Sequence, residues 1–555
     1  MANGPYDPLN TETAPLEPYG NRSLTGLYPA TTAAAEPTVP LMLRSFDGRS
    51  VADPGTPGRR RGYWIAALLL ILVVTGMQQL QVFQQSAPPK PVPTVEPRDP
   101  EAGKQEPKLE PIGTELDQPD IAGRLMVKMS HIYGPGKERD QLVSQLSEQV
   151  TPSAQPHVAD GVRLVPAYAE IVGKEEALAE IDALRDEVDA DSGLSPEERG
   201  ALGADLDALE NLYVGGSEAL SRVDRDRIVK RLGWQGRLAL TFDRADSDPV
   251  RAPMIANGLA LMLLLLLVVV GAAVMLLAGL GMFIWACVLL GSGRLRRRLD
   301  RPLPGGSMGI EILVVFLSCF AGLKILMDFV ALAADAGWFG AAAKADPAGY
   351  LTPVALLLQW FILPVVVLYP RLRGYSRFRV KRALGWHRGE GFAKEIACGF
   401  AGYLACLPVY VGAVIVALVL SIIEAGIVKA ISGKDPSGPV NPIGGMLAES
   451  WWVAVLVAAL ATVWAPIVEE VVFRGALFRQ LYARIGVFAA ALLSGLVFAM
   501  MHGYSPSLFP PLIVLGTGFA VIRWWRGSLV ACVTAHAFHN GTLMVVMFVL
   551  FSLLK

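Results

Sequence analysis

The chain has 555 residues, of which 53% are hydrophobic and 18% charged, and its mean hydropathy is +0.42. Those values exclude an ordinary soluble chain and fit a polytopic membrane protein. A formal net charge of −1 excludes a global field that would gather nucleic acid, and the five cysteines (Cys287, Cys319, Cys398, Cys406 and Cys532) lie in apolar stretches with no disulfide or metal spacing.

Residues 1–58, rich in Pro, Gly, Thr and Ala and without periodicity, are expected to form a disordered cytoplasmic tail. Arg59, Arg60 and Arg61 then precede an apolar run from Tyr63 to about Phe83. Residues 59–84 are read as a transmembrane anchor, because a spanning helix needs roughly 20 residues. The long upstream tail and the lack of a small-residue cleavage site argue against a signal peptide. Pro88, Pro89, Pro91, Pro93, Pro97 and Pro100 mark 85–114 as an extended linker. Residues 115–250 are polar with helical signals and predict a small, mostly helical extracytoplasmic domain. Ser195-Pro196-Glu197-Glu198 reads as a capping box, and Leu178, Ile181, Leu184 and Val188 repeat at helical spacing. His131 and His157 lack spaced partners and are read as ordinary surface histidines.

Residues 251–389 are expected to form transmembrane helices. No charge occurs from Ala252 to Ser292, a stretch that would be about 60 Å long as one helix. Arg294, Arg296, Arg297, Arg298 and Arg301 follow it; with Arg59–Arg61 on the same side, an odd number of crossings is required, and one is preferred. Further spans are expected near 309–334, 351–370, 396–423, 449–484, 487–502, 511–523 and 529–551. The basic loop 371–395 falls inside and the cation-poor loops 335–350 and 424–447 outside. The reading is all-α, a bundle of about nine spans with the N-terminus cytoplasmic. Lys324 and Asp328, at i,i+4 within one span, are taken as a local ion pair.

Residues 390–555 hold the polar groups that stand out. Ionisable side chains in a span cost about 2.5–3.5 kcal/mol each on insertion scales. Glu469, Glu470 and Arg474 sit in one apolar segment, His502 in the next, and His536, His539 and Asn540 in the last. Taken alone, Glu470 and Arg474 fit an i,i+4 pair on the solvated face of a helix leaving the membrane. Glu469 lies 17 residues before Gly486 and His502 lies 16 after it (486 − 469 and 502 − 486), so an antiparallel hairpin sets them at equal depth. Phe498 is one turn before His502 on the same face, and His536 and Asn540 share a face at i,i+4. A carboxylate beside an imidazole can take a proton from water, and a second His with an Asn can donate to an oxyanion. The same groups could instead hold zinc, with Glu469, His502 and His536 as ligands.

The ordered set Glu469-Glu470-Val471-Val472-Phe473-Arg474, Phe498-Ala499-Met500-Met501-His502 and His536-Ala537-Phe538-His539-Asn540 resembles the CAAX-protease and bacteriocin-processing (Abi) family, the type II CAAX prenyl endopeptidase-like proteins. Gly516 and Arg526-Gly527-Ser528 fit the same pattern. The resemblance covers roughly 450–545. It implies an intramembrane endopeptidase in which Glu469 activates water with help from His502. His536 and Asn540 would stabilise the oxyanion or substrate, with Glu470, Arg474 and Phe498 supporting. His539 stays unassigned. The metal-free scheme is preferred and needs no cofactor. The expected partners are the lipid bilayer, a membrane-associated peptide or protein substrate, and a protein bound by the extracytoplasmic domain. The Ala/Gly-rich composition suggests a bacterial cytoplasmic membrane. Two other classes compete: a non-catalytic scaffold, sensor or immunity protein that keeps the fold, and a transporter with a Glu/His proton relay, which inverted repeats would favour.

Overall fold

The computed structural model describes residues 56–86, 117–133, 136–191, 193–302, 305–340, 347–432 and 451–555. The N-terminal tail up to residue 55, nearly all of the Pro-rich linker, and much of the loops 335–350 and 424–447 lie outside the described residues. Among those described, every regular element is helical.

The anchor helix α1 (Arg60–Ser86) starts at the arginine cluster and buries Ala67, Ile71 and Val74, spaced i, i+4, i+7, in the main apolar core. Seven helices follow: α2 (Gln118–Ser130), α3 (Lys137–Val150), α4 (Val158–Val172), α5 (Lys174–Ala190), α6 (Pro196–Gly215), α7 (Arg222–Leu232) and α8 (Trp234–Ala239). The α6 capping box forms: Ser195 Oγ accepts from Glu198 N, and Glu198 Oε2 accepts from Ser195 N at 2.8 Å. Ile181, Leu184 and Val188 are buried with Leu178 packed beside them. This small helical unit is seated on the membrane helices. Lys128 of α2 donates to Pro253 O at 2.9 Å and Ala256 O at 3.2 Å, at the short helix α9 (Ala252–Ile255). Ile121 and Leu125 of α2 pack on Leu261, Val453, Met544 and their neighbours. His131 is not an ordinary surface histidine. Only 11% of its side chain is exposed, and its Nε2 lies 3.1 Å from Glu170 Oε1.

The membrane part comprises α10 (Gly258–Gly291), α11 (Met308–Asp335), α12 (Pro347–Gln359) with α13 (Ile362–Leu372), the short α14 (Arg377–Leu384), α15 (Phe392–Ser432), α16 (Trp451–Tyr482), α17 (Val487–Met500), α18 (Phe509–Arg526) and α19 (Leu529–Leu554). The apolar stretch after Ala252 is broken once, where Asn257 takes a left-handed φ of 73° between α9 and α10, and only α10 is long enough for a crossing, in keeping with the preferred single span. Lys324 Nζ meets Asp328 Oδ1 at 2.6 Å, the expected local pair. The expected count is about nine. Among the described residues eight helices are long and apolar enough to cross a membrane, whereas α17 has only 14 residues. That is about 21 Å of helix against a core of about 30 Å. Apolar content at 487–502 marks a helix without fixing its length.

Basic ends of several helices meet at one end of the bundle. Arg60 donates to Gly305 O at 2.7 Å, Arg301 to Tyr482 O at 3.2 Å, and Arg526 to Glu395 and Glu390 at 2.7 and 2.8 Å. Within the bundle, α17 and α18 approach closely. A β-carbon on Gly516 would lie 2.7 Å from Gly495 Cα, so glycine at these positions permits the contact. That close packing draws the C-terminal half of α17 and the middle of α18 over α16.

Candidate active site

Helix α16 is not a uniform α-helix. Leu460–Trp464 and Glu470–Leu477 are π-helical turns, which insert an extra residue and re-aim side chains, often at functional sites. Neighbouring side chains bond carbonyls in both turns. Asn540 Nδ2 of α19 donates to Ala461 O at 2.8 Å, and Ser494 Oγ of α17 donates to Phe473 O at 3.0 Å.

The second turn carries Glu470 and Arg474 into the bundle, where both side chains are fully buried. This corrects the solvated-face reading of the pair. Arg474 Nη1 is 2.9 Å from Glu470 Oε1, and Arg474 Nη2 donates to Gly516 O at 3.1 Å. The guanidinium lies over the rings of Phe498 (4.4 Å), Phe519 (5.2 Å) and Phe473 (5.8 Å). An aromatic box of this kind holds a desolvated cation through the ring quadrupoles. Phe519 was not singled out from sequence. Its place on α18, one turn after Gly516, is the signal that could have found it.

His536 Nδ1 is 2.9 Å from the same Glu470 oxygen. A carboxylate only accepts, so Nδ1 carries the proton and Nε2 points elsewhere. The ring stacks on Phe519 at 5.1 Å. His536 Nε2 faces Glu469 Oε2 at 3.9 Å, too long for a hydrogen bond. Glu469 Oε2 is buried without any hydrogen-bond partner among the described residues, as is Glu470 Oε2. Buried polar atoms are nearly always paired, so a donor-less carboxylate oxygen is where a small polar ligand fits best.

His502 sits just beyond α17. Its Nδ1 is 2.7 Å from Phe498 O, so Nδ1–H donates and Nε2 is free to accept. Phe498 packs on it at 4.5 Å. The same Phe498 ring meets His536 at 5.9 Å, and His536 Nε2 in turn stands 3.9 Å from Glu469 Oε2, so His502 reaches Glu469 through these two rings.

The remaining sequence candidates separate. Asn540 spends one of its two amide N–H groups on Ala461 O. His539 turns towards α15, where its Nδ1 meets Tyr403 OH at 3.2 Å and its ring packs on Tyr410 at 5.4 Å; this is a packing role. Among the described residues no group of three or more His, Cys, Asp or Glu is placed to hold a metal.

An apolar cavity of about 490 Å³ lies against α14, α15, α16 and α19, lined by Phe392, Ile396, Ile467, Val533 and Thr534 among others. Ile467 and Thr534 are each two residues from Glu469 and His536. Two residues turn a helix by about 200°, so the cavity backs the site rather than containing it.

Residues 450–542 match the family described as type II CAAX prenyl endopeptidase Rce1-like. The match spans all three polar motifs and ends just after Asn540. It supports an intramembrane CAAX-type protease at the level of the family. No curated protein and no solved structure matches the chain.

Proposed function

We propose that this integral membrane protein is an endopeptidase that hydrolyses a peptide bond of a membrane-associated substrate, using water activated by Glu469 with His502. The observation that carries the reading is the buried, donor-less Oε2 of Glu469, set beside two histidines inside an apolar bundle.

The chemistry follows from the protons. A water donating to Glu469 Oε2 and to His502 Nε2 gives up one proton to the carboxylate as its oxygen bonds to the substrate carbonyl carbon. The carbonyl π electrons move onto oxygen. His536 in its imidazolium form would donate Nε2–H to that oxyanion while Nδ1–H stays on Glu470. With Glu469 and Glu470 anionic and Arg474 and His536 cationic, the four charges sum to zero, which suits a desolvated site. Collapse of the intermediate breaks the C–N bond, and the proton held by Glu469 passes to the leaving amine. Glu470 and Arg474 act by holding His536. Asn540 braces α19 against the first π turn.

The test uses full-length protein in lipid nanodiscs and a panel of membrane-anchored peptides, some prenylated and some not. Glu469→Ala and His502→Ala are each expected to lower kcat by about 10²–10⁴-fold. His536→Ala should lower it by roughly 10²–10³-fold, the size of one lost oxyanion donor. Cleavage at the parental rate by all three variants would refute the reading.

A further inference from the structure

The anchor helix α1 lies outside the segment that matches the family, yet it grips the loop that carries His502. Gln78 Nε2 donates to Met501 O at 2.9 Å, and Gln79 Nε2 donates to Tyr504 O at 2.8 Å. Those carbonyls flank His502 and Gly503. Met501 caps the C-terminal end of α17, where a helix runs out of internal donors for its last carbonyls, and Tyr504 lies in the loop beyond it. Gly503 is in the left-handed region at φ +66°, and a β-carbon there would lie 3.5 Å from the Gln78 side chain. The loop therefore packs directly on α1.

The loop is held from α15 as well. Ser505 Oγ lies 2.5 and 2.6 Å from the two carboxylate oxygens of Glu424 on α15. The His502 ring is oriented by its own bond to Phe498 O. Its side-chain direction is thus set by α17, and its backbone position by α1 and α15. Helix α1 is itself docked, because Ala67, Ile71 and Val74 are buried in the core shared with α11.

We propose that Gln78 and Gln79 are positioning residues for His502, so that the anchor helix sets the depth and direction of the imidazole beside Glu469. This rests on the role given to His502 above. A reacting group displaced by about 1 Å can lose on the order of 10² in rate. Loss of two amide donors would free the loop by that kind of distance without touching substrate.

The experiment compares full-length parent protein with Gln78→Leu/Gln79→Leu in nanodiscs. Leu72→Ala, on a surface of α1 that is 66% exposed, serves as a control. Hydrogen exchange is followed across the chain. Kinetics are measured in the parental and His502→Ala backgrounds. Amides 501–505 are expected to exchange about tenfold faster in the double variant, corresponding to about 1.4 kcal/mol of lost local protection. The parental kcat should fall by about 10–100-fold with KM unchanged, and the acid limb of its pH profile should shift. In the His502→Ala background the double substitution should cause no further loss. Unchanged exchange at 501–505, or an equal loss without His502, overturns the proposal. If exchange rises across the whole core, the single variants Gln78→Met and Gln79→Met, which keep chain length and remove one amide each, decide by the same criteria. If the parent cleaves nothing, the endopeptidase reading fails, while the exchange measurement still decides the clamp.

Discussion

Two buried glutamates in this molecule are each held between an arginine and a histidine, one in the helical unit before the membrane bundle and one inside it. Glu170 receives Arg251 Nη1 on Oε2 at 2.9 Å, with Arg251 Nη2 and His131 Nε2 on Oε1. Arg251 also reaches Asp246 at 3.0 Å. Every oxygen of that carboxylate is bonded. Glu470 receives Arg474 and His536 on Oε1 alone. Its Oε2, Arg474 Nε and the neighbouring Glu469 Oε2 have no hydrogen-bond partner among the described residues. The residue types are the same and the satisfaction is not. A completed cluster fixes a fold; an incomplete one, kept buried at a cost, has room for chemistry.

The contrast can be broken by substitution. Removing one partner of a buried, satisfied pair typically costs about 3–5 kcal/mol. Glu170→Ala should destabilise the helical unit 118–255 on that scale, seen as faster hydrogen exchange there, while kcat for any cleaved peptide is unchanged. Glu469→Gln should do the reverse. It removes a desolvated charge that has no donor, so the melting temperature should hold or rise while turnover collapses. If Glu469→Gln destabilises the protein as much as Glu170→Ala, the distinction between the two clusters fails.

Acid offers a gentler version of the same test. Burial alone would push the Glu170 carboxyl up, but hydrogen bonds from His131 and Arg251 outweigh it and leave the group below its ordinary value of 4.5. A carboxylate lowered on folding adds stability that is present above the unfolded value and is lost as pH falls through the folded one. Exchange within 118–255 should therefore accelerate below pH 4.5 in the parent. In Glu170→Gln that acid-dependent part should shrink, and an unaltered acid response would assign it to other groups. The effect should be smaller than that of Glu170→Ala, because a protonated carboxyl still fills its space.

What the sequence made legible was local. Apolar runs located the membrane helices, and Ser195 and Glu198 announced their capping box. Features made by distant contacts were hidden. Glu170 and Arg251 are 81 positions apart, and Glu470 and His536 are 66 apart, with no periodicity to link them. The π turns also have no reliable residue signature. A ruler of 3.6 residues per turn could not show that Glu470, rather than Glu469, would bond His536. The length of α17 was obscured because an apolar residue suits a short helix packed on one face as well as a spanning one. Gln78 and Gln79 read as two polar residues near the end of an anchor, since their partners lie more than 400 positions away.

The smallest expected effect comes from metal removal. A zinc peptidase needs three protein ligands at about 2.0–2.2 Å around one ion. Here His536 Nδ1 is committed to Glu470, and its Nε2 stands 3.9 Å from Glu469 Oε2. His502 has Nδ1 on Phe498 O, and no set of three ligands converges among the described residues. Purified protein treated with a strong chelator and then freed of it should keep its full turnover. Zinc measured by elemental analysis should be well below one equivalent before and after. Stoichiometric zinc that leaves together with activity, and restores it when added back, would mean that Glu469, His502 and His536 close on a metal. The incomplete cluster would then be a ligand set awaiting its ion rather than a site for activating water directly.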